Sequence, residues 1–109
     1  MTVNKSMIAD FADELRIAVL TGGFDVIGTL DFNPVQIIFD NQSSVDIGIS
    51  KNGSSIWHTF PAGEAIILDM RGNHGIADNF SFPVGTTFYA QGAAGANAFS
   101  ISYTYALDL

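Results

Sequence analysis

The chain has 109 residues, enough for one domain, and with 48% hydrophobic residues and nine Phe it has ample material for a core. It contains no cysteine, which excludes disulfides and thiolate metal sites. Eleven acids outweigh four bases, a formal charge of −7, and the scattered Lys5, Arg16, Lys51 and Arg71 exclude nucleic acid or an anionic membrane as partner.

The first residues lack the basic start and long apolar stretch of a signal peptide, and no run approaches a membrane span, so a soluble, unprocessed chain is expected. Residues 1–14 fall outside the two-residue periodicity of the rest, yet they carry Met1, Val3, Met7, Ile8 and Phe11. A disordered tail is poorer in such residues, so these five are candidate contacts of an arm packed on its own domain or on a neighbour. A short surface helix is the competing reading. "SMIADFADELRIAVL" offers Ser6 as a cap, with Ile8, Phe11, Leu15 and Ala18 roughly in line. The Gly22-Gly23 turn between two apolar stretches favours strands from Leu15 onward: "LRIAVL" (15–20), then "FDVIGTLDF" (24–32).

From Asn33 the period is two. Val35, Ile37 and Phe39 face one way, with Gln36 and Asp40 opposite. "NQSS" (41–44) is turn chemistry, and "VDIGIS" (45–50) alternates Val45, Ile47 and Ile49 with Asp46, Gly48 and Ser50. That alternation predicts a Val/Ile face on a second sheet, with the other three facing solvent or another subunit. Asn52-Gly53 in "KNGS" predicts a tight hairpin with both residues at positive φ, returning along Ile56 to Phe60.

"PAGE" (61–64) turns the chain into "AIILDM" (65–70), and "RGNHGIADN" (71–79) reads as an irregular loop. In "GTTFYAQG" (85–92), Thr86, Phe88 and Ala90 oppose Thr87, Tyr89 and Gln91. "FSISYTYA" (99–106) puts Phe99, Ile101, Tyr103 and Tyr105 on one face and small hydroxyls on the other, a half-buried antiparallel strand. The fold expected is all-β: a single antiparallel sandwich, jelly-roll, Ig-like or barrel-like, of seven or eight short strands. It spans residues 15–109 behind the arm.

Catalytic chemistry is hard to place on this chain. The only imidazoles are His58 and His74, and no nucleophile elbow is present. His58, between Trp57 and Thr59, reads as a residue on the outer face of a hairpin. Asp69, His74 and Asp78 share one loop, but their spacing matches no EF-hand and no paired-histidine motif, and loops use Asp to bond their own backbone. Glu64 with Asp69 as a glycosidase pair has nothing else to support it. Neither enzyme activity nor a metal or cofactor is expected. Trp57, beside the Asn-Gly turn, is the aromatic expected nearest the surface and a candidate contact residue.

"NPVQIIFDNQSSVDIGISKNGSSIWHTFPAGEAIILDM", followed after a loop by "FPVGTTFYAQGAAGANAFSISYTYA", resembles a group of small bacteriophage virion structural proteins. The elements that carry the resemblance are Pro34, Asn41, Ser50, Gly53, Pro61-Ala62-Gly63, Leu68-Asp69, Gly85-Thr86, Phe88-Tyr89, Gly95 and Phe99 to Tyr105, over residues 33–106. All are turn formers or strand residues, so the pattern implies a β fold and brings no active site with it. The loop 71–82 and His58 are this chain's own departures.

The resemblance implies a non-enzymatic virion protein, assembled in the host cytoplasm as a capsid decoration (cement) subunit or a neck or tail component. Its partners would be capsid, portal or tail subunits and further copies of itself. Contacts are expected from residues 1–14 and from the 71–82 loop, including Arg71 and His74. The alternative is a receptor- or glycan-binding module using Trp57.

Overall fold

The computed structural model of the protein describes residues 11–69 and 82–105. Eight strands are described: β1 (Phe11–Ile17), β2 (Asp25–Thr29), β3 (Pro34–Asn41), β4 (Ile47–Ser50), β5 (His58–Phe60), β6 (Ala65–Asp69), β7 (Thr87–Gln91) and β8 (Phe99–Tyr105). They form two four-stranded sheets, ordered β1-β8-β3-β6 and β2-β7-β4-β5, and every pairing is antiparallel. First pairs with last, second with seventh, third with sixth, fourth with fifth. A ribbon folded on itself in this way and wrapped into two sheets is a jelly roll, one of the three expected forms of the sandwich.

The core follows the alternation. Ile37, Phe39, Ile47, Ile49, Phe88, Phe99 and Ile101 are fully buried between the sheets. Phe39 is central, with ring centroids of Phe60, Phe88 and Phe82 at 5.4, 5.7 and 5.9 Å. Phe88 and Phe82 stand edge-on to it and Phe60 is stacked, and such contacts add to the large area each ring buries.

Several local expectations are corrected. The first strand begins at Phe11, not Leu15, and pairs residue by residue with β8 from Phe11↔Tyr105 to Ile17↔Phe99. It takes in Asp13 because that carboxylate has a partner: Tyr103 Oη donates to Oδ2 at 3.2 Å. No part of residues 11–17 is helical. In β3 the register shifts between Pro34 and Gln36, so Pro34 is buried while Val35 is only half-buried.

Gly48 and Ser50, opposite the core-facing Ile47 and Ile49, are not open to solvent; both are buried. A Cβ on Gly48 would sit 2.6 Å from Ile56 Cδ1, so Ile56 lies directly over that glycine. The "KNGS" turn is no two-residue hairpin either, because β4 and β5 pair as Ile47↔Phe60 and Ile49↔His58. Only Gly53 there has positive φ, at 78°. Side chains reorganise the turn: Ser50 Oγ accepts from the N–H groups of Asn52 and Gly53, and Asn52 Oδ1 from those of Ser54 and Ser55. Such local bonds compete with ladder pairing and lengthen the connection.

Asn41 ties the corner where the chain passes from one sheet to the other. Its side chain is fully buried. Nδ2 donates to the carbonyls of Val45, Phe60 and Pro61 at 2.9, 2.9 and 3.1 Å, and Oδ1 accepts from Ser43 N and Oγ. The turn that follows β5 closes with Glu64 N donating to Pro61 O, and Gly63 at φ 76° supplies the positive φ a type II turn needs.

Candidate interaction edge

A two-sheet sandwich has four edge strands, and here they are β1, β6, β2 and β5. Each presents unpaired backbone groups that invite another strand, and natural proteins blunt such edges. On β1, Glu14 N donates to Asp13 Oδ1 at 2.8 Å, so a carboxylate occupies an outward-pointing N–H. The β2 edge carries a bulge between Val26 and Gly28. β5 is only three residues long.

Among the described residues, β6 has no such device. The bond from Asn41 N to Glu64 O sets the phase of the β3/β6 ladder. Ile66 and Leu68 therefore bond to β3, and the backbone groups of Ala65 and Ile67 point away from the sheet. Both residues are exposed, Ile67 to 60%.

The two sides of the sandwich differ. Beside β1 and β2, Leu15 packs so closely on Gly28 that a Cβ there would lie 2.9 Å from Leu15 Cδ2, so the layers touch at that point. Between β5 and β6 the layers part around an apolar cleft of about 150 Å³, lined by Trp57, His58, Phe60, Ile66 and Leu68. His58 lies on the same side of β5 as Phe60, its ring 4.6 Å away edge-on. This corrects the outer-face placement expected of it, although the residue is exposed.

Trp57 is half-buried, and its ring is already engaged. Phe82 stands edge-on at 5.2 Å and Phe39 at 5.4 Å, while the Lys51 ammonium lies 5.6 Å from the indole and 5.2 Å from the Phe82 ring.

Of the other expected contact residues, Phe11 opens β1, and Met1, Val3, Met7, Ile8, Arg71 and His74 lie outside the described residues. The Asp69, His74 and Asp78 loop cannot be placed either, since His74 and Asp78 lie outside them too. Among the described residues no three His, Asp or Glu side chains come together. Two groups have displaced pKa values. Burial, with the Asp13 charge adding to it, pushes the Tyr103 phenol up, against a bond from Asp31 N–H. Bonds from the Thr21 N–H and hydroxyl hold the Asp25 carboxyl down. Both are structural ties remote from the cleft.

Sequence reasoning turned the chain into "AIILDM" (65–70) but did not place that segment at the edge of a sheet, because edge position follows from the pairing of the whole chain.

No family model matches the chain, and no curated protein matches it. Among solved structures it is similar to a protein of Bacillus endospore appendages, described as a family of disulfide-linked pili. The identity is 13%, over 90% of this chain and 88% of that one, with a TM-score of 0.46. It is also similar to protein NMB1881 from Neisseria meningitidis, at 11% identity over 85% and 69% of the two chains, with a TM-score of 0.39.

Proposed function

We propose that the protein is a non-enzymatic structural subunit of a bacteriophage particle, a capsid decoration (cement) protein or a neck or tail component, that works by protein–protein contact. The observation that carries the assembly part of this reading is the β6 edge, unblunted among the described residues, beside an apolar cleft. An edge of this kind is unstable in isolation and fits a strand from a neighbour. The resemblance over residues 33–106 supplies the particle.

Glycan binding through Trp57 is less well supported, because that ring is already packed against Phe39 and Phe82. The test is quantitative mass spectrometry of particles purified from cells that carry the gene, scaled to the major capsid protein. Abundance near that of the capsid protein identifies a decoration subunit, and a low, ring-like copy number a neck or tail component. Absence from the particles overturns the proposal.

A further inference from the structure

We infer that the β6 edge and its cleft receive residues 1–10 of a second copy of this chain, added as an antiparallel strand outside β6. The inference rests on reading the chain as an assembling subunit, and it names the two surfaces that meet. A strand laid along Ala65–Asp69 bonds to the outward backbone groups of Ala65 and Ile67. Its alternate side chains enter the cleft between Ile66 and Leu68 on one side and Trp57 and Phe60 on the other.

Residues 1–10 have the pattern such a strand needs. Met1, Val3, Met7 and Ala9 fall on odd positions, and Thr2, Asn4, Ser6 and Asp10 on even ones, with Lys5 and Ile8 the exceptions. The odd positions continue the phase of β1, where Leu15 and Ile17 pack against the core. Charge agrees as well: Lys5 is the one charged residue among the first nine, and Glu64 precedes the acceptor strand on a chain of formal charge −7.

Topology favours a second copy over the same chain. Phe11 begins β1, at the opposite edge of the sheet from β6. To reach its own β6, the segment would cross the ends of β8 and β3 and then run parallel to β6. Every other pairing in the protein is antiparallel, and parallel pairing is the weaker kind. Donor and acceptor are different surfaces, so the contact is head-to-tail and yields rings or filaments.

The test uses the full-length chain in size-exclusion chromatography with light scattering over a concentration series. The wild-type chain is expected to form a concentration-dependent series of oligomers. Ile67→Pro removes an N–H that its own sheet does not use, a position where an edge strand tolerates proline. Met7→Asp spoils the donor. Each variant alone is expected to be monomeric with the wild-type melting curve. Mixed, they should form a 1:1 dimer and nothing larger, because one supplies an intact segment and the other an intact edge.

If Ile67→Pro melts early, Ile67→Lys replaces it. A wild-type chain monomeric at every concentration overturns the inference, as does a mixture that gives no dimer. Oligomers lost in Ile67→Pro but kept in Met7→Asp would mean that β6 pairs with a second β6, which also overturns it. None of these outcomes changes the abundance of the protein in particles, so the two readings fail separately.

Discussion

Replacing Asn41 with Ala should be among the most damaging single changes outside the aromatic core. The substitution removes both N–H donors of the amide, which three carbonyls share, and two accepted hydrogen bonds at once. The Phe60 carbonyl lies in a buried contact, where losing this hydrogen bond costs about 1–2 kcal/mol. The Val45 and Pro61 carbonyls and Ser43 sit in partly buried positions, and each bond there contributes roughly 0.5–1.5 kcal/mol net, less where water replaces it. The sum is roughly 3–5 kcal/mol, a fall in Tm of about 12–20 °C for a domain of this size. Urea unfolding followed by circular dichroism measures the free energy, and a thermal scan the Tm. Asn41→Asp keeps the acceptor for Ser43 but loses every donor, and should be at least as destabilised at neutral pH. A loss below about 1 kcal/mol for Asn41→Ala would refute the corner-tie account.

Trp57→Ala should cost about 3 kcal/mol in the same assay, because the ring packs on Phe39 and Phe82; a ring serving only as an exposed sugar platform would leave stability unchanged. The raised Tyr103 pKa means that the folded state holds the phenol proton more tightly than the unfolded chain. The phenol's contribution to stability should therefore be constant below pH about 10 and fall as pH rises past it, a slope that Tyr103→Phe should reduce in urea titrations at alkaline pH. Asp13→Ala frees the Glu14 N–H on the β1 edge, and should produce new association through β1, seen by light scattering even when Ile67→Pro is also present.

The two-residue period in β3, β7 and β8 is legible without a structure because each strand has one face in the core and one outside it. Where that reading slipped, the cause is nonlocal or lies in side-chain capping. Asp13 and Glu14 look too polar to begin a buried strand until Tyr103, 90 residues away, is seen to bond the carboxylate. Asn-Gly promised a tight hairpin, but Ser50 and Asn52 bond the turn's own N–H groups first and lengthen it. Val35 left the core because of a shift in register, which alternation alone does not show. The candidate site was the least legible part, since whether a strand lies at an edge depends on the pairing of the whole chain. Nothing within Ala65–Asp69 marks it as the outermost strand of its sheet.

The pairing of first strand with last also sets a timetable. β8 lies between β1 and β3, joining both, so while the ribosome is still making the chain neither sheet position beside it can be filled. Contacts this distant in sequence make folding slow, in the millisecond-to-second range. Until β8 emerges, β1 and β3 both hold open ladders, a far greater hazard of mispairing than the edges of the finished fold. The four-stranded sheet that holds β6 at its edge is complete only once β8 has been inserted.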